Sequence, residues 1–163
     1  MLKIIANEFE WMFNNTSTIK ALYNYFVDNS FRVQCKIRHI QRIKNPLLKM
    51  IAINRLEKQY TFKLGTECLI GDRLFVHHYN GVVIGEQAQI GHQCEIFQQV
   101  TIGSKNHKYP KIGDHVILYP GCKVIGDIYI GDNAIIAPNS VVIKDVPSNA
   151  IVSGVPAQII KMR

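Results

Sequence analysis

"IGDHVILYPGCKVIGDIYIGDNAIIAPNSVV", residues 112–142, sets an aliphatic side chain at every sixth position: Ile112, Leu118, Val124, Ile130, Ile136 and Val142. That period fits neither the spacing of an amphipathic helix nor the alternation of a half-buried strand. It fits a prism of short strands, each ending in a corner, with three strands closing one triangular coil and the aliphatic residue pointing to the axis. Stacked coils then bury one apolar column and pair their backbones with the coils above and below. The same register runs back through Ile102, Ile96, Ile90, Ile84, Val76 and Ile70 to Leu64. Four places after the aliphatic residue stands a small or apolar one: Cys68, Ala88, Cys94, Val100, Val116, Cys122, Ala134 or Ser140. Thirteen hexads amount to a little over four coils, more than such an architecture needs to be stable. Cys68, Cys94 and Cys122 are accordingly packing residues.

The register breaks twice. Val76 and Ile84 are separated by two extra residues at "HHYNG", and Ile102 and Ile112 by four extra at "GSKNHKYPK". Loops extruded from a regular solenoid are where binding and chemistry concentrate. Upstream, "STIKALYNYFVDN" carries Ile19, Leu22, Tyr23 and Phe26 at helical spacing behind a serine cap, and "NPLLKMIAINRLEKQY" offers Asn45 as N-cap and Pro46 at the first helical position. These helices are expected to cover the open first coil. The predicted organisation is a basic helical segment over 1–60, a β-helix domain over 61–145, and a tail over 146–163 that leaves the prism.

The 163 residues suffice for one core, and no apolar run is long enough to span a bilayer. Four cysteines without Cys-x-x-Cys or metal-ligand spacing predict reduced thiols, a cytoplasmic location and no metal site. The net charge of +7 is concentrated: residues 32–63 hold nine Lys or Arg against one acid, leaving ten against eleven elsewhere. This segment reads either as a solvated face or as a contact with the inner face of an anionic membrane, through Arg38, Arg42 and Lys44 among others. No nucleic-acid-binding motif accompanies it.

The hexads together with "HHYNGVVIGE", "VTIG…PKIGD" and "KDVPSNAIVSGVPA" resemble the hexapeptide-repeat acyltransferases, in particular their serine acetyltransferase-like branch, over residues 62–160. The resemblance implies an all-β fold, the left-handed parallel β-helix, assembled as a homotrimer and transferring acetyl from acetyl-CoA. It places His78 at the family's catalytic histidine, where a neutral imidazole takes the proton of the acceptor hydroxyl. His77, Asn80, Gln98, His107 and Tyr109 then become candidates for acceptor binding, the last two from a neighbouring subunit. For acetyl-CoA the resemblance points to Gly103, Gly121, Cys122, Pro138, Asn139, Ser140, Gly154 and Pro156 along a groove between prisms, with Lys144 and Lys161 for its phosphates.

Departures from the family pattern bear on the acceptor. His77 stands where the branch has aspartate, Lys63 falls at the place of the orienting aspartate, and "HKYP" replaces its Asp-Arg-His-Pro. The branch's long helical domain and its C-terminal extension have no counterpart in this reading. These departures turn the expectation toward surface-polysaccharide O-acetyltransferases of the colanic acid type, with a sugar hydroxyl as acceptor. Serine O-acetylation is the alternative, and a non-catalytic β-helix scaffold a further one. A γ-carbonic-anhydrase-like prism would need three zinc histidines across coils, and only the pair His77 and His78 stands near the insertion.

Overall fold

A computed structural model describes all residues, Met1–Arg163. Four helices lead: α1 (Leu2–Phe13), α2 (Thr18–Val27), α3 (Asn29–Gln41) and α4 (Pro46–Tyr60). Fifteen short strands follow. They are β1 (Lys63–Leu64), β2 (Leu69–Ile70), β3 (Phe75–Val76), β4 (Val83–Ile84), β5 (Gln89–Ile90), β6 (Glu95–Ile96), β7 (Thr101–Gly103) and β8 (Lys111–Ile112). The series continues with β9 (Ile117–Leu118), β10 (Lys123–Ile125), β11 (Tyr129–Ile130), β12 (Ile135–Ile136), β13 (Val141–Val142), β14 (Ala150–Gly154) and β15 (Ala157–Met162).

Up to β13 every third strand stacks in parallel on the one before it, and β14 stacks on β12, so the chain winds three faces: β1-β4-β7-β10-β13, β2-β5-β8-β11 and β3-β6-β9-β12-β14. All thirteen hexad aliphatics are buried, as are all eight residues of the small slot. Burial pushes the thiols of Cys68 and Cys122 up to about 12 and that of Cys94 to about 11. The fourth cysteine, Cys35, lies buried among the helices, and its thiol is pushed up to about 12 in the same way.

Caps fall where the sequence puts them. Ser17 accepts from the Lys20 amide at 3.4 Å and Asn45 from the Leu48 amide at 3.1 Å, with Pro46 opening α4. The apolar stripe of α2, however, faces outward: Ile19 is 82% exposed and Phe26 72%. Helix α2 rests on its neighbours through Ala21, in a small cluster with Ile4, Ile5, Phe9, Phe31 and Cys35. The first coil is covered by α4, as expected, and by α3 in place of α2; their Val33, Ile37, Ile40, Ile53, Leu56 and Tyr60 join the core of the prism.

Helix α3 also closes the exposed strand edge with hydrogen bonds. Ser30 Oγ donates to the His77 carbonyl (2.9 Å), Gln34 Oε1 accepts from the Val76 amide (3.3 Å), and Gln41 Nε2 donates to the Ile70 carbonyl (2.9 Å). Arg38 donates to the same Ile70 carbonyl at 3.4 Å and pairs with Glu8 at 3.5 Å. With its side chain 8% exposed, Arg38 cannot be the membrane-facing cation expected of it. Arg32 is likewise engaged, donating to the Tyr25 and Phe26 carbonyls, and Lys36 lies over the Tyr60 ring. Part of the basic segment is therefore internal scaffolding. None of the helices is long and apolar enough to cross a membrane.

The tail departs from its expected course. Residues 146–154 continue the winding, with Val146 bridging Ile130 and β14 pairing in parallel with β12. Val146, Ala150 and Val152 are buried at inward positions. The corner between Val142 and Val146 is two residues shorter than the hexad, which hides the repeat from a period search. Only β15 breaks the pattern, turning back antiparallel along β14.

Candidate active site

The ladder hydrogen bonds show which two residues are extra at the first interruption. His77 N donates to Ile96 O and Gln99 N to Asn80 O; one coil on, Phe97 N donates to Leu118 O and Gly121 N to Gln98 O. His77 thus stands over Phe97 and Asn80 over Gln98, so the extruded pair is His78 and Tyr79. The protrusion is fastened on both sides. Ser30 holds the His77 carbonyl, Tyr79 packs edge-on against Tyr60 at 5.6 Å and takes a hydrogen bond from Asn29, and Gly81 N donates to Thr61 O. Between these anchors His78 is exposed, its ring 6.4 Å from that of Phe97.

His77 is held more closely. Its ring stacks on Phe97 at 4.1 Å with 9° between planes and abuts Phe75 at 4.3 Å. Its Nε2 meets Glu95 Oε2 at 2.7 Å. Both side chains line a cavity of about 550 Å³ that also receives Trp11, His115 and Arg163. Glu95 escaped the sequence reading because an outward acid in a hexad strand looks like any solvated residue. The signal that could have found it is register: Glu95 lies two positions before the residue that stacks under His77.

Below the protrusion, the same edge of the prism gathers most of the cofactor candidates. Asn80, Gln98, Pro120-Gly121 and Pro138-Asn139 occupy successive corners, linked by Gln99 N to Asn80 O, Gly121 N to Gln98 O and Asn139 N to Pro120 O. Gly154 joins them through its amide, which donates to Ser140 Oγ at 3.2 Å, and Pro156 lies in the following turn. Gly121 has φ +72°, and a side chain there would strike Asn139 Oδ1. Gln98 Oε1 is buried with no hydrogen-bond partner. Cys122 and Ser140 are wholly buried, so only their backbone can face a ligand.

Other candidates lie elsewhere. The second interruption is a two-residue hairpin, Lys105 and Lys108 exchanging backbone hydrogen bonds at 3.1 Å around Asn106 and His107, which both have positive φ. It projects from the corner between β7 and β8, whereas His78 sits between β3 and β4. His107 and Tyr109 therefore do not approach His78 within one chain; the Tyr109 ring lies on Gly85 instead. Gly103 and Lys144 also lie off the His78 edge, and Lys161 is exposed on β15. No three His, Cys, Asp or Glu side chains converge as a metal site would require.

Residues 109–144 match the bacterial transferase hexapeptide family (six repeats), so that part of the coil region is similar to the hexapeptide-repeat transferases. Among these the similarities point one way. The chain is 41% identical over 115 residues to a serine acetyltransferase of Staphylococcus aureus, covering 68% of this chain and 54% of that protein. The crystal structure of Neisseria gonorrhoeae serine acetyltransferase superposes with a TM-score of 0.83 at 25% identity, covering 99% of this chain and 64% of that one. A serine acetyltransferase in complex with CoA superposes with a TM-score of 0.81 at 25% identity, covering 97% and 68%. The chain spans about half the length of the curated relatives it matches.

Two expectations are corrected by these findings. The relatives are serine acetyltransferases, so the sugar acceptor and surface-polysaccharide role are set aside together with the colanic acid type of relationship. The likeness also extends through the helices, since it covers 99% of the chain rather than residues 62–160 alone.

Proposed function

We propose that this chain is the acetyl-transfer unit of a serine O-acetyltransferase, with His78 as general base, acetyl-CoA as donor and L-serine as acceptor. The observation that carries the reading is the single prism edge running from the protruding His78 to the turn after Gly154. Support comes from the relatives as well: a match spanning 68% of 163 residues necessarily includes residues 60–100, and with them this protrusion.

In the proposed reaction the serine hydroxyl oxygen attacks the thioester carbonyl carbon while His78 accepts the hydroxyl proton. Backbone amides of the corner hold the developing oxyanion. The C–S bond then breaks, and the imidazolium returns its proton to the departing thiolate, giving O-acetylserine and CoA. Four coil spacings of about 4.8 Å separate the His78 level from that of Gly154, so about 19 Å of edge is available to the rest of the cofactor. The acting form in this reading is a homotrimer, which would let His107 and Tyr109 of a neighbouring copy approach His78. A free amino acid as acceptor removes the reason for laying residues 32–63 on a membrane.

The test follows CoA release with a thiol-reactive dye, which reads CoA cleanly because the protein's four cysteines are buried. L-Serine is expected to sustain turnover, and His78→Ala to lower kcat by about 100-fold or more with the fold intact by circular dichroism. No turnover with serine, or an unimpaired His78→Ala, refutes the reading.

A further inference from the structure

Resting on that reading, we infer that Glu95, delivered from the coil below, is the anionic anchor for the α-ammonium group of the acceptor. An amino-acid acceptor brings a cation into a cleft between protein surfaces, and a cation leaving water needs a charge-assisted partner to offset its desolvation. The protruding turn offers none of its own, since residues 77–81 are His, His, Tyr, Asn and Gly. The carboxylate in contact with this turn belongs to Glu95.

Its geometry suits the task. Oε2 meets His77 Nε2 at 2.7 Å, while Oε1 makes no hydrogen bond within the protein. A carboxylate has lone pairs enough to hold an imidazole on one oxygen and an ammonium on the other. The side chain is 39% exposed and faces the cavity of about 550 Å³, so the free oxygen is accessible. His77 is itself fixed, stacked on Phe97 at 4.1 Å and packed against Phe75 at 4.3 Å, and so restrains the carboxylate. Phe97 is also the ring beside His78. Phe97 thus carries the His77 ring on its face and has His78 at its edge, so His77 links the Glu95 carboxylate to the His78 corner, and an amino acid placed there would present its ammonium to Glu95 and its hydroxyl to His78. His77 is a positioning residue in this arrangement, and Glu95 sets the specificity.

Steady-state kinetics with L-serine and with 3-hydroxypropionate, which lacks the ammonium, test the assignment. Glu95→Gln is expected to raise the serine KM by about 10- to 100-fold, the worth of one charge-assisted hydrogen bond. It should leave the acetyl-CoA KM nearly unchanged and narrow the preference for serine over 3-hydroxypropionate by the same factor. Glu95→Asp should retain part of that preference. A loss shared equally by both acceptors, a fall in kcat alone, or wild-type behaviour overturns the assignment while leaving serine acetylation standing. Wild-type protein inert toward serine overturns the acetyl-transfer reading, and the assignment with it.

Discussion

Arg38 shows how far a side chain's role depends on which way its helix turns. In the sequence it is one cation of a basic run; in the fold it is 8% exposed, paired with Glu8 and hydrogen-bonded to the Ile70 carbonyl. Removing one member of a buried ion pair leaves the other charge stranded. Arg38→Ala is therefore expected to cost about 3 kcal/mol in urea unfolding. The double variant Glu8→Gln/Arg38→Ala should cost less than the sum of the two single changes. Additive losses would mean that the pair does not couple. Ser30, Gln34, Arg38 and Gln41 share one face of α3, a helix absent from the sequence reading, and polar residues that satisfy a strand edge look there the same as polar residues facing water. His78 was legible for the opposite reason: it breaks a strict register. Glu95 was not, since its partner is eighteen positions away and two of those are extruded.

At the level of corners and strands, the repeat carried most of the information. Each inward position lies where the period puts it, because a buried axis tolerates no slip of register. The short corner after Val142 defeated the same logic, and the winding there continues without the spacing that announced it. Corners also impose their own chemistry. Gly121 combines a left-handed backbone with an Asn139 oxygen where a Cβ would sit. Gly121→Ala should lower stability by about 1–3 kcal/mol, readable as a shift in the urea midpoint. Its turnover should fall as well if the edge below His78 holds the cofactor. A variant of wild-type stability would mean that Asn139 moves aside freely.

Over the whole chain, the four buried thiols make stability depend on pH in one direction. Their folded pKa values, about 11 to 12, lie above the ordinary 9.0 because burial disfavours the thiolate. The unfolded chain therefore loses these protons first as pH rises. The stabilisation is complete below pH 9 and is lost progressively toward pH 11–12, by at most about 1.4 kcal/mol per unit for each thiol. Urea midpoints should fall more steeply above pH 9 in the wild type than in a Cys68→Ala/Cys122→Ala variant. Parallel slopes would assign the alkaline loss to other groups.

The two ends of the prism are not alike. At one, α3 and α4 bury the first coil and α3 spends its polar side chains on the β2 and β3 edge. At the other, β15 pairs antiparallel with β14 as the edge strand of its sheet, Val146 bridges β11, and β13 ends its sheet. A parallel solenoid whose ends were both bare could add copies of itself indefinitely, each new chain extending the same three sheets. With α3 and α4 over the first coil, no further copy can add to that end through strand pairing. The helical lead-in thus acts as a chain terminator in the polymer chemist's sense, closing that end of the prism to a further copy unless α3 is first unseated.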